Sequence, residues 1–329
     1  MRGRIIKGVK DFFDVYVEED NDYKEYKDKI IACNSRGVFR KDSVRLKPLV
    51  GDTVEIDINF DNRDETETVG IIKKIDGRKN SLQRPPVANI DILFIVTSVK
   101  SPSPSYFFID KLTVTAVEND IIPVIIINKT DLAANEADEL YDIYSKTGFK
   151  TIKTSAILSE NEASGIRFAN GFEEIKKEMQ NKICAFAGAS GVGKSSILNR
   201  LFDELNLNTG SLSNKIERGK HTTRTVELFK NNLGGYAADT PGFGALDFEN
   251  DKNYNYILKE NLVFAFPDLL KYAENCKYTK CTHLKEEGCK IIEAVQNGEI
   301  SKSRHDSYII IYDILKNQKI VKPKDRAGK

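Results

Sequence analysis

Ile183-Cys184-Ala185-Phe186-Ala187-Gly188-Ala189-Ser190-Gly191-Val192-Gly193-Lys194-Ser195 decides how this chain folds. Its second half, Gly188 to Ser195, has the form G-x-x-x-x-G-K-S, the pattern of a loop that wraps a polyphosphate. The apolar run before it suits a buried strand. After it, Ile197, Leu198, Leu201 and Leu205 recur at helical spacing. Strand, glycine loop and helix together predict an α/β P-loop domain.

The residue types follow from the chemistry. Glycines let backbone N–H groups close in on phosphate oxygens, and the helix N-terminus adds partial positive charge. Lys194 is expected to neutralise the β- and γ-phosphates, and the Ser195 hydroxyl to ligate Mg²⁺. Gly188, Ala189, Ser190, Gly191, Val192, Gly193 and Ser196 complete the expected cradle.

The loop lies past the middle of a 329-residue chain, long enough for two or three domains. A hydrophobic fraction of 40% and a net charge of +1 are ordinary, so a nucleic-acid partner must be argued from local patches. The longest apolar run, near Ile121 to Ile127, is too short to span a bilayer. No apolar core follows Met1-Arg2-Gly3-Arg4, so neither a signal peptide nor a membrane partner is expected. The expectation is a cytoplasmic monomer whose five cysteines are not disulfide-bonded.

Residues 1–84 read as short β segments: Ile5–Val9, Phe12–Val17, Lys29–Cys33, Thr53–Ile58 and Thr68–Ile75. Five such strands suit a small all-β barrel of the OB type. Basic residues cluster at Arg36, Arg40, Lys41, Arg45 and Lys47, and again at Lys73, Lys74, Arg78, Lys79 and Arg84. One face could therefore track an RNA backbone; solvated loops are the alternative. Pro85-Pro86 marks the expected boundary.

Residues 85–250 carry the remaining nucleotide motifs. A strand near Ile90–Val96, a helix over Tyr106–Glu118 and a strand over Pro123–Ile127 predict parallel β-α-β order. The second strand runs into Asn128-Lys129-Thr130-Asp131, an N-K-x-D that can read guanine. The Asp131 carboxylate can accept from the ring N1–H and the exocyclic amine of guanine, which adenine lacks. Asn128 would tie this loop to the phosphate loop, and the Lys129 stem would cover the ring. After a helix at about 135–147, Ser155-Ala156 is expected as a second base loop, its Ala156 N–H facing guanine O6.

Arg218-Gly219-Lys220-His221-Thr222-Thr223-Arg224 is a candidate first switch. A threonine there can ligate Mg²⁺ only while the γ-phosphate is present. Thr223 is the choice and Thr222 the alternative. Asp239-Thr240-Pro241-Gly242 is a D-x-x-G in which Asp239 would hold Mg²⁺ through water and the Gly242 N–H would touch the γ-phosphate. Phe243 stands where many GTPases place a water-orienting Gln. His221 is the nearest candidate for a catalytic role; an exposed loop histidine is the alternative reading.

The base loops precede the phosphate loop and both switches, the reverse of ordinary GTPases. A complete set in rotated order predicts circular permutation, which a fold tolerates when its original termini lie close together. Together with Arg36-Gly37, Pro48-Leu49-Val50-Gly51-Asp52 and Ala88-Asn89-Ile90-Asp91, these motifs make the chain resemble the RsgA (YjeQ) family of circularly permuted GTPases along nearly its whole length. The resemblance implies GTP hydrolysis to GDP, a role for the switch-I histidine, and action on the 30S ribosomal subunit and its 16S rRNA during late maturation.

The last segment, 251–329, holds Cys276, Cys281, His283 and Cys289. Three thiols and an imidazole suit closed tetrahedral Zn²⁺ in a structural site. The spacing is not that of ordinary zinc fingers, but the family resemblance implies the same ligand set. A small, mostly helical zinc-binding domain is expected, with helices over Ile291–Gln296 and Arg304–Lys316. From 276 to the end there are twelve Lys or Arg against seven Asp or Glu, which suits rRNA contact; a solubilising tail is the alternative.

Overall fold

The computed structural model describes residues 1–19, 24–35, 39–41, 44–58, 69–83, 85–157, 171–204, 226–239 and 257–317. The N-terminal strands are β1 (Arg2–Val9), β2 (Phe12–Glu19), β3 (Ile30–Asn34), β4 (Phe39–Lys41), β5 (Val44–Leu46), β6 (Thr53–Ile58), β7 (Val69–Ile75), β8 (Ser81–Gln83) and β9 (Pro86–Ala88). Phe13, Val15 and Val17 of β2 are buried between more exposed neighbours, as are Val54 and Ile56 of β6. That period of two gives each strand one inward apolar face. The strands close in the order β1–β2–β3–β7–β6–β1, with β3 and β7 parallel and the other pairs antiparallel. This is a five-stranded barrel of the expected OB kind.

Two hairpins, β4–β5 and β8–β9, join the five expected strands. Strands of three residues are too short for alternation to be legible. Pro85-Pro86 sits where β8 turns into β9. The hairpin is fastened to the barrel, since the Ala88 N–H donates to the Val50 carbonyl at 2.8 Å and Asn89 Nδ2 donates to the Gly51 carbonyl at 3.0 Å. Arg78 grips buried Asp52 at 2.7 and 2.8 Å, and Lys79 pairs with Asp91 at 2.9 Å. These two members of the second basic cluster are thus committed to ion pairs. Arg36 and Arg84 lie outside the described residues.

The central region continues as β10 (Ile92–Ser98), α1 (Tyr106–Glu118), β11 (Ile122–Asn128), α2 (Ala134–Ser145), β12 (Lys150–Lys153), α3 (Gly171–Met179), β13 (Ile183–Ala187), α4 (Lys194–Glu204), β14 (Glu227–Lys230) and β15 (Tyr236–Asp239). The order across the sheet is β12–β11–β10–β13–β15–β14, all parallel except β14. Because helices cover both faces, the central strands are apolar throughout. Ile92, Phe94, Val96, Val124, Ile126 and Phe186 pack with α3 and α4. Their alternates Leu93, Ile95, Ile125, Ile127, Ala185 and Ala187 pack with α1 and α2. Counted from the phosphate-loop strand β13, with β14 and β15 following and the chain re-entering at β10, the order is 2-3-1-4-5-6. The sheet is an ordinary open α/β sheet cut at another point, which is the circular permutation that the motif order predicts.

At the far edge, Lys7 of β1 pairs with Glu227 of β14, and the sheet runs on into the barrel. On the other side, a 3₁₀ segment (Lys259–Ala265) leads into α5 (Pro267–Ala273), α6 (Lys290–Gln296) and α7 (Lys302–Asn317). Phe266, Leu269, Ile291, Tyr308 and Ile311 form one core with Val114 of α1. Inside this junction Arg304 of α7 is fully buried and bonds Asp268 of α5 at 2.8 and 3.0 Å and Asp110 of α1 at 2.5 Å. Tyr144 of α2 donates to the same Asp110 at 3.0 Å. All five cysteines are unbridged. No described helix is long and apolar enough to cross a membrane.

Candidate functional site

The loop after β13 owes its shape to two glycines. Gly188 has φ +152°, and a Cβ there would stand 2.2 Å from the Val96 carbonyl of the neighbouring strand. Gly193 has φ +97°, and a Cβ there would meet Asn128 Nδ2 at 2.2 Å. Neither position admits a side chain. Lys194 opens α4 and turns back over the loop, donating to the Gly188 carbonyl at 2.8 Å and the Ala189 carbonyl at 2.7 Å. Burial pushes the Lys194 amine below its ordinary value, and an arriving phosphate anion would offset that cost. Ser195 and Ser196 are exposed in the first turn of the same helix, where unpaired N–H groups face outward.

The residues of the N-K-x-D run converge on this loop. Asn128, buried at the end of β11, donates through Nδ2 to the Val192 carbonyl at 2.9 Å. Its Oδ1 accepts from the Ala156 N–H at 3.2 Å. One side chain thus ties both base loops to the phosphate loop. The Ala156 N–H, expected to face guanine O6, here points at Asn128. Thr130 Oγ1 donates to the Thr154 carbonyl at 3.1 Å. The Ser155 hydroxyl donates to one oxygen of Asp131 at 2.5 Å. Asp131 is exposed, and among the described residues its second oxygen accepts no hydrogen bond. Lys129 has φ +61°, and its amine bridges the Gly191 carbonyl at 2.8 Å and the Ser101 carbonyl. Its stem thereby runs from the base loop to the phosphate loop.

Asp239 ends β15, and the register Ala185↔Ala238 sets it beside the strand that enters the phosphate loop. His221, Thr223 and Gly242 lie outside the described residues. The structure therefore brings Asn128–Asp131, Ser155–Ala156 and Gly188–Ser196 together at the C-terminal ends of β11, β12 and β13. Ligands of open α/β sheets bind at such ends. Two contributors are absent from the sequence reading. The Ser101-Pro102 turn supplies a carbonyl to Lys129 and packs against Gly191. Arg200 of α4 lies 4.0 Å over the Phe172 ring and reaches the Ser155 carbonyl at 3.5 Å. The only signal of the first was its place, a Ser/Pro turn at the end of a central strand.

Cys276, Cys281, His283 and Cys289 offer ligand atoms that all lie within 4.8 Å of one another. His283 Nδ1 is 3.6 Å from the sulfurs of Cys276 and Cys289, which are 3.9 Å apart. A tetrahedral Zn²⁺ with Zn–S near 2.3 Å and Zn–N near 2.0 Å needs ligand separations of about 3.5–3.8 Å. The separations among Cys276, His283 and Cys289 suit such an ion, and the Cys281 sulfur lies within 4.8 Å of the other three ligand atoms. Burial pushes His283 below its usual value, favouring the neutral imidazole that ligates metals. The turn is held from within by Glu286. Its carboxylate accepts from the N–H groups of Thr282 (2.8 Å), Leu284 (3.0 Å) and Lys285 (3.1 Å), and from the Thr282 hydroxyl. Burial opposes the Glu286 charge, but these donors bring its pKa down to about 2. From α7, His305 Nε2 meets the His283 carbonyl at 2.7 Å, and Tyr308 donates to the Thr282 carbonyl at 3.2 Å.

Comparison with known proteins agrees with this geometry. The RsgA GTPase family matches residues 75–249, and the RsgA N-terminal domain matches residues 2–67. A small ribosomal subunit biogenesis GTPase RsgA of Caldanaerobacter subterraneus subsp. tengcongensis is 39% identical over 319 residues, covering 97% of each chain. The protein of that name from Bacillus subtilis is 37% identical over 322 residues, covering 96% of this chain and 98% of its own. Among solved structures, YloQ, a circularly permuted GTPase, superposes with TM-score 0.69 at 33% identity, covering 97% of this chain and 96% of YloQ. YjeQ from Thermotoga maritima superposes with TM-score 0.71 at 34% identity, covering 97% and 99%.

Proposed function

The chain belongs to the RsgA GTPase family, and from that premise we propose that it binds the 30S ribosomal subunit and acts in its late maturation, hydrolysing GTP to GDP and phosphate under ribosomal stimulation. The observation that carries the nucleotide assignment is Asn128, which bonds both the phosphate loop and the second base loop. The same side chain makes base and phosphate recognition one site.

In this reading the loop N–H groups and Lys194 hold the β- and γ-phosphates and neutralise charge that grows in the transition state. Asp131, oriented by Ser155, accepts from the guanine edge, while the Lys129 stem lies over the ring. Ser195, Thr223 and Asp239 would hold Mg²⁺, which when bound supplies charge neutralisation between the β- and γ-phosphates. The exposed Ser195 hydroxyl and the end of β15 suit that role. Gly242 would donate to the γ-phosphate and His221 would orient the attacking water, since Phe243 cannot.

Zn²⁺ is the proposed ion for Cys276, Cys281, His283 and Cys289, in a structural role, because four protein ligands leave no open position. Three functional units are proposed: an RNA-binding barrel (1–84), the permuted GTPase domain (85–250) and the zinc-bearing helical domain (251–329). The expected setting is a cytoplasmic monomer in contact with 16S rRNA. Co-sedimentation tests the switch: the chain should pellet with 30S subunits in a non-hydrolysable GTP analogue and stay in solution with GDP. Equal pelleting in both nucleotides would refute nucleotide-controlled binding.

A further inference from the structure

The hairpin β14–β15 lies in the chain between the two switch segments, 218–224 and 239–242. On one side β15 pairs with β13. On the other side the hairpin is held by the barrel. At the site end, Asp239 is the register partner of Glu227, and Glu227 is the register partner of Lys7 on β1. One row of the sheet therefore runs Lys7–Glu227–Asp239, and the Lys7 amine is 3.5 Å from the Glu227 carboxylate.

The opposite end of the hairpin is gripped as well. Tyr236, which begins β15, donates its hydroxyl to Glu18 of β2 at 2.7 Å. Arg4 of β1 bonds the same Glu18 at 2.9 Å and lies over the Tyr236 ring at 5.4 Å. Lys230, the register partner of Tyr236, bonds Tyr16 of β2 at 2.5 Å and Asp28 at 3.4 Å. Burial, then the bond to Glu18, holds the Tyr236 hydroxyl protonated as a donor.

We propose that Glu18 and Lys7 of the barrel are positioning residues for GTP hydrolysis, acting through the β14–β15 hairpin to set Asp239 at the end of β15. A strand of four residues spans only about 13 Å, so fixing Tyr236 and Glu227 leaves Asp239 little freedom along or across the strand. The barrel is thus part of the frame of the nucleotide site as well as an RNA-binding unit. This inference rests on the GTPase reading above and on Asp239 as the Mg²⁺-side carboxylate.

The test is GTP turnover as a function of Mg²⁺ concentration in the full chain, for wild type, Glu18→Ala, Glu18→Gln and Lys7→Ala. Asp57→Ala serves as control; it removes a barrel ion pair with Lys73 at 3.3 Å that does not touch the hairpin. Glu18→Ala and Lys7→Ala should raise the Mg²⁺ needed for half-maximal turnover by about threefold or more, the scale of coupling carried by residues remote from a ligand. Affinity for GDP without Mg²⁺ should stay at the wild-type value, because the base and phosphate loops are untouched. Glu18→Gln, which still accepts from Tyr236, should recover most of the loss. An unchanged Mg²⁺ dependence in both alanine variants would overturn the proposal. So would an equal change in Asp57→Ala, which would mean only a loosened barrel. A wild-type chain without Mg²⁺-dependent GTP turnover would overturn the GTPase reading itself, and the proposal with it.

Discussion

At the scale of single residues, the chemistry rests on a few atoms whose partners can be removed one at a time. Asp131 has one oxygen committed to Ser155, leaving the other for the base. Asp131→Asn puts a donor where guanine needs an acceptor. GDP affinity should fall by at least about 100-fold, the loss of charge-assisted bonds whose partners are left unpaired. Titration of a fluorescent GDP analogue measures this, and unchanged affinity would refute the base-loop assignment. Glu286 makes a second residue-scale case. It touches no metal, yet it fixes the turn that carries His283. Glu286→Ala should keep zinc but weaken its affinity by about 10–100-fold, as for other partners of metal-binding groups. Cys281→Ala should lose stoichiometric zinc outright. Competition with a chromogenic chelator distinguishes the two. The convergence of Asn128 with the phosphate loop was legible from the paired motifs, and that of three cysteines with His283 because the chain holds only five cysteines and three histidines. The Lys129 bond to the Ser101 carbonyl was not, because a backbone acceptor leaves no mark on residue identity. Glu286 was not, because an acidic residue in a polar loop reads as solvated.

At the scale of elements, the strands that carry the motifs were readable as continuous apolar runs. Ile92–Ser98 begins and ends two residues later than the expected Ile90–Val96, Ile122–Asn128 adds one residue at each end of Pro123–Ile127, and Tyr106–Glu118 is the helix the sequence predicts. β14 escaped notice because Glu-Leu-Phe-Lys has too few residues to show a period. The α1–α5–α7 junction was equally hidden, since its polar centre joins residues 110, 268 and 304. Arg304 is the element-scale test. Burial works against its charge, and the Asp110 and Asp268 carboxylates hold it well above the ordinary arginine range. Arg304→Met would leave two carboxylates buried without a counter-charge. It should cost about 3–5 kcal/mol, as for other broken buried pairs, read from the urea midpoint by far-UV circular dichroism. Arg304→Lys should recover only part of this, because an ammonium cannot fork across both carboxylates. A wild-type midpoint in Arg304→Met would show that the cluster does not hold the helices on α1.

At the scale of the whole molecule, the rotated motif order foretold the sheet. With the base loops first and the phosphate loop after, the chain must leave and re-enter the sheet elsewhere than in ordinary GTPases, and the strand order agrees. The docking of the barrel onto β14 could not be read in advance. Its contacts join residues more than 200 apart, such as Glu18 and Tyr236, and such pairs leave no periodic trace. Barrel, nucleotide site and metal turn therefore form one connected frame, with β14–β15 on one side and α1 with α7 on the other. On the proposed function, this frame is a GTPase switched by the small ribosomal subunit. The most direct measurement is the GTP turnover of the full chain alone, with purified 30S subunits and with purified 50S subunits. A large stimulation by 30S and none by 50S is expected; equal rates in all three, or stimulation by 50S alone, would refute the proposed function.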